Sequence, residues 1–128
     1  MKTVLEIVNT ELNSIDIPYA FMRWNFNCPD VYFVGECSEV PAVTEDGAKE
    51  YTMILTGTIV TIDGTWGELD QFREKIENHF PSVYGLRKSK GNVAVVIMYE
   101  NSFPVPTGEA NLKRIQINLR IKEWKGAM

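Results

Sequence analysis

The stretch Asn111–Trp124, NLKRIQINLRIKEW, constrains the fold more than any other. Ile115, Ile117, Leu119 and Ile121 fall at every second position, with Arg114, Gln116, Asn118, Arg120 and Lys122 between them. Only a strand separates these two sets onto opposite faces. Such a strand buries one face, so the chain must supply a sheet and a layer to cover it. Leu112 breaks the phase and predicts a bulge at the strand's start.

The covering layer is readable too. Trp66, Leu69, Phe72, Ile76 and Phe80 recur at three- and four-residue steps behind a Thr65/Glu68 capping box, and Pro81 stops the run. This predicts a helix from Thr65 to about His79. A second stripe, Leu5, Val8 and Leu12, widened by Val4 and Ile7, predicts a helix over Thr3–Asn13, opened by a Thr3/Glu6 box.

The remaining strands follow from alternation and turn chemistry. They are expected at Ile17–Phe26, Val31–Val40, Ala48–Thr61, from Val83 up to a Lys88–Gly91 turn, and at Val93–Glu100. The wholly apolar VAVVIMY places that last one centrally. On the third strand Tyr51, Met53, Leu55 and Ile59 share a face. Ile54 and Val60 join Thr52, Thr56 and Thr58 on the other, which suggests a partial cover. The expected order is α-β-β-β-α-β-β-β. It implies one α+β domain over residues 1–128, a mostly antiparallel six-stranded sheet with both helices on one face.

Little chemistry is visible. The net charge of −4 argues against a binder dominated by a basic field, for nucleic acid or an anionic membrane. No apolar run approaches the ~20 residues that span a bilayer, and the N-terminus lacks a signal-peptide pattern. A cytoplasmic protein is expected. Cys28 and Cys37 read as small buried residues, with neither CxxC nor a nearby histidine to suggest zinc. His79, the single histidine, sits where a helix end can use it. The acidic pairs Glu36/Glu39 and Glu45/Asp46 show no burial or partner that would tune a catalytic acid. No phosphate-binding glycine motif occurs. No catalytic residue, cofactor or metal is expected.

Two connections stand out. Glu39–Glu50 (EVPAVTEDGAKE) and Glu100–Asn111 (ENSFPVPTGEAN) are too long and too apolar for simple hairpins. Val40, Pro41, Val43, Glu45 and Asp46 in the first, and Phe103, Pro104, Val105, Pro106 and Glu109 in the second, are candidate partner contacts. Proline lowers the cost of ordering such loops on contact. Arg114, Arg120 and Lys122 form either a solvated face or a surface for a neighbour's Glu11, Glu68 or Glu74.

Taken together, YFVGECSEVPAVTEDGAKEYTMILTGTI, WGELDQFREKIENHFPS and NSFPVPTGEANLKRIQINLRIKEWK resemble the small proteins of phage and prophage head–tail joining modules. The likeness is to the tail-terminator, or tail-completion, group of long-tailed phages. The resemblance implies a non-enzymatic α+β subunit of a hexameric ring that caps the tail tube and joins it to the head connector. It implies tail-tube and connector proteins as partners, and a place in the host cytoplasm and then the virion. Its extended loops would correspond here to Val40–Gly47 and Phe103–Asn111. The alternatives are another neck or minor capsid component, or a small ligand-binding or enzymatic domain using the cleft under the Thr65–His79 helix.

Overall fold

The computed structural model describes residues 1–24, 28–41, 47–60 and 65–126. Two helices, α1 (Lys2–Ser14) and α2 (Trp66–His79), accompany β1 (Tyr19–Phe21), β2 (Val31–Val40), β3 (Lys49–Ile59), β4 (Leu86–Lys90), β5 (Val93–Val105) and β6 (Lys113–Lys125). The six strands form one sheet in the order β1-β2-β3-β6-β5-β4. The fold is therefore α+β.

The sheet is mixed, which corrects the expected mostly antiparallel one. β1 runs parallel to β2, pairing Tyr19 with Phe33 and Phe21 with Gly35, while the other neighbours are antiparallel. β1 is also much shorter than Ile17–Phe26. Met22 takes a left-handed φ of 69° and ends it. The chain then returns to start β2 alongside β1, because parallel neighbours need a crossover and not a hairpin.

The inner face is a continuous apolar layer. Phe33, Tyr51, Met53, Leu55, Ile97, Ile117, Leu119 and Ile121 are buried in one cluster with Val4, Val8 and Leu12 of α1 and Leu69 and Ile76 of α2. Both helices thus cover the same face. α1 touches β1 and β4, the two edge strands, so the sheet bends around it. Glycines permit the close approach this bend requires. A Cβ on Gly57 would lie 2.4 Å from the Phe33 ring, and one on Gly35 would lie 2.6 Å from Tyr19. The outer face is half-exposed across Thr52, Ile54 and Thr56 and across Gln116 and Asn118.

Several expectations change in detail. α1 starts at Lys2 with Met1 as its cap and no side-chain capping bond, so Thr3 lies inside the helix and its capping box is absent. At α2 the Thr65 side chain does accept from the Glu68 N–H, at 3.4 Å. The β4–β5 turn is the two-residue Gly91–Asn92, with Lys90 facing Val93 and Gly91 at φ 62°. β5 lies next to the edge strand, and the center of the sheet is β3 with β6. The all-apolar run of β5 still alternates buried residues with exposed or half-exposed ones, because among the described residues no helix covers the outer face. The bulge falls at Tyr99/Asn101 of β5 and not at Leu112. Cys28 is exposed and Cys37 half-buried, so only Cys37 behaves as packing.

Candidate interaction surface

The second apolar connection is mostly strand. β5 continues past its bulge to Val105, with Asn101 facing Asn118, Phe103 facing Gln116 and Val105 facing Arg114. The true loop is short, and Thr107 organises it. Its hydroxyl donates to the Leu112 carbonyl at 2.7 Å and accepts from the Glu109 N–H at 3.2 Å. Pro104 disguised this strand in the sequence. A proline is tolerated here because β4 pairs β5 only as far as Ile97, leaving the later segment, among the described residues, a single ladder neighbour, β6. Tyr99 N–H, just beyond β4's reach, donates instead to the Phe80 carbonyl at 2.9 Å.

That one-sided strand and the first turn of α2 enclose a groove of about 730 Å³ lined by Trp66, Asp70, Arg73, Phe103, Pro104 and Ile115. Trp66 and Phe103 are each 44% exposed. The helical stripe predicts Trp66 buried. It lies instead one turn before Leu69, at the mouth of the groove, where the first turn of α2 leaves a gap above Pro104 and Ile115. Phe103 belongs to neither loop nor core.

The polar groups of the groove are mutually satisfied. The Arg73 guanidinium donates to Asp70 and to Glu77, both at 2.6 Å. The bond from Arg73 holds the Asp70 carboxyl below the usual range, and the same bond makes the guanidinium hold its proton more tightly. Tyr99 and Ser102 hydroxyls are bonded to each other. Such a lining offers apolar contact and few uncommitted polar groups.

The other candidates fare differently. Val40 ends β2 half-buried and Pro41 is exposed, while Val43, Glu45 and Asp46 lie outside the described residues. Pro106 and Glu109 belong to the Thr107 loop. The basic face of β6 has partners within the chain. Arg120 lies 2.8 Å from Glu50, Lys122 lies 3.9 Å from the same carboxylate, and Arg114 donates to Thr58 at 3.3 Å. Glu11 is buried and contacts His79 at 2.9 Å and Lys88 at 3.8 Å, which removes it as an inter-subunit partner. His79 thereby ties α2 to α1. Among the described residues no cluster of histidine, cysteine and acidic side chains could hold a metal, and no helix is long and apolar enough to cross a membrane.

One exposed feature escaped the sequence reading. Val83 and Tyr84, between α2 and β4, are each 78% exposed. Their signal was the PSVYG pentapeptide, whose proline and glycine mark a turn and not a strand start.

No protein-family model and no curated protein matches the chain. One solved structure has the same fold, with a TM-score of 0.67 at 15% identity, covering 94% of this chain and 89% of its own. That protein carries a serial identifier and no functional name, so the likeness establishes fold alone.

Proposed function

We propose that this protein is a non-enzymatic virion assembly protein, a tail terminator whose ring caps the tail tube of a long-tailed phage or prophage and joins it to the head connector. The observation that carries this reading is the apolar groove beside the far half of β5. Trp66 and Phe103 remain partly exposed on a helix and a strand, and covering what remains of each would contribute roughly 1 kcal/mol against a partner. A single contact of this size is weak, but identical contacts repeated around a ring gain from effective concentration. The ring is homomeric, its partners are the tail-tube and connector proteins, and its residence is the host cytoplasm before the virion. The sequence resemblance supplies the identity of those partners.

The second reading is a small-ligand domain using the same groove. Its volume favours this reading, while the mutual satisfaction of Arg73, Asp70 and Glu77 opposes it, because ligand sites need convergent free polar groups. Absolute mass by light scattering, with and without purified tail-tube protein, separates the two. A closed hexamer, alone or on the tube, supports the terminator. A monomer that ignores tube protein refutes it and turns attention to ligands for the groove.

A further inference from the structure

A second hollow, of about 480 Å³, lies at the other end of β5, where β4, β5 and β6 run side by side. Register explains it. Ser89 faces Ala94 and Ala94 faces Trp124, so these three form one row across the outer face. Arg87, Val96 and Lys122 form the next row on the same face. Neighbouring strands lie about 4.8 Å apart, so the Ser89 and Trp124 backbones stand roughly 10 Å from each other with only a methyl side chain between them. The floor is held firmly. The β4–β5 turn closes in two residues, and Gly126 N–H donates to the Asn92 carbonyl at 2.7 Å, pinning the end of β6 beside it.

The polar groups around this hollow are free, unlike those of the Arg73 groove. Lys88 is drawn to Glu11 on the inner face at 3.8 Å, and Lys122 shares Glu50 with Arg120. The side chains of Arg87, Ser89 and Trp124 have no hydrogen bond or ion pair among the described residues. Guanidinium and indole groups only donate, and a hydroxyl can donate as well. No acidic residue among the described ones lines the hollow.

We propose that this hollow binds a carboxylate carried on a flat apolar body. Three free donors with no acid among them select an anion. One free guanidinium balances one negative charge and matches the fork of a carboxylate, whereas a phosphate dianion calls for a second free cation. The apolar body covers Ala94 and Val96 beside the half-exposed Trp124 indole. A free aromatic acid and an acidic side chain next to an aromatic one carry this same chemistry. The site uses neither Trp66 nor Phe103 and stands apart from the terminator reading.

The indole N–H signals of isotope-labelled protein test it, with Trp124→Phe identifying the one from Trp124. Titration with 2-naphthoate should move that signal saturably and leave those of Trp24 and Trp66 in place. The neutral isostere 2-naphthamide, and inorganic phosphate, which lacks the apolar body, should each bind about tenfold or more weakly. Arg87→Gln should weaken naphthoate by a similar factor, and Ala94→Leu, which fills the floor, should remove the saturable shift. Both positions are exposed, so the remaining amide spectrum should stay that of the folded chain; should Ala94→Leu unfold, Arg87→Gln decides. A capped Phe-Asp dipeptide titrated in parallel assigns the source. Tighter binding than naphthoate indicates a protein side chain and weaker binding a free acid, and either supports the site. If neither probe moves the Trp124 signal at millimolar concentration, or Arg87→Gln binds as tightly as wild type, the site is overturned.

Discussion

Gly57 shows how a single hydrogen atom shapes the sheet. It faces Phe33 across the β2–β3 ladder, and the ring lies where a Cβ would be. Phe33 in turn packs edge-on against Phe72 of α2, with ring centroids 5.9 Å apart. Gly57→Ala should push that ring into the helix and cost about 1–3 kcal/mol, read as a lowered denaturation midpoint. Tyr51 carries a different constraint. Its hydroxyl donates to the buried Glu123 carboxylate at 3.1 Å. Burial and then that negative charge push the phenol up to about 12. The folded state therefore keeps a proton that the unfolded chain loses near pH 10. Stability is full below pH 10 and falls as pH rises to about 12. Tyr51→Phe should flatten that alkaline slope. It should also cost about 1–3 kcal/mol near neutrality by stranding Glu123. Urea midpoints across pH check both effects.

At the scale of elements, β5 is half protected by another strand and half by proline. Pro104→Val supplies an N–H to a strand segment with one free side and removes a guard against edge pairing. Light scattering over time should show faster, non-saturating aggregation than wild type, with the melting temperature little changed. β6, α2 and the β2–β3 pair were legible in the sequence because one residue pattern fixes each. In β6 the alternation of Ile115, Ile117, Leu119 and Ile121 is unbroken, and in α2 Thr65 and Pro81 mark the ends. β1 was not legible. Its three residues and its parallel partner depend on a positive φ at Met22, a residue whose identity gives no hint of it. The second half of β5 was hidden for a local reason, since proline signals an interior break wherever the neighbouring strand is unknown. The groove was partly legible. Phe103 was conspicuous among turn residues, whereas Trp66 looked like one more member of a buried stripe.

For the molecule as a whole, Glu11 is the junction. It is buried on α1 and engages His79 at the end of α2 and Lys88 on β4, so three elements meet at one carboxylate. A neighbouring contact, Lys90 to Glu6 at 2.5 Å, fastens β4 to α1 again and holds the Glu6 carboxyl below its usual range. Glu11→Ala should cost about 1–3 kcal/mol and loosen β4 first. Hydrogen exchange would then show reduced protection of β4 amides relative to β3. Equal loss everywhere would mean that β4 is held by its ladder alone.

The central ladder has a consequence for synthesis. β3 gains its second neighbour only when β6 arrives, since Ile59 pairs with Lys113 and Lys49 with Glu123. At 5–20 residues per second, the roughly 50 intervening residues leave β3 waiting about 3–10 s on the ribosome. During that interval Tyr51, Met53 and Leu55 belong to an incomplete layer with an open edge. Nascent chains stalled before residue 113 should therefore bind holdase chaperones, and release of β6 from the exit tunnel should end that dependence.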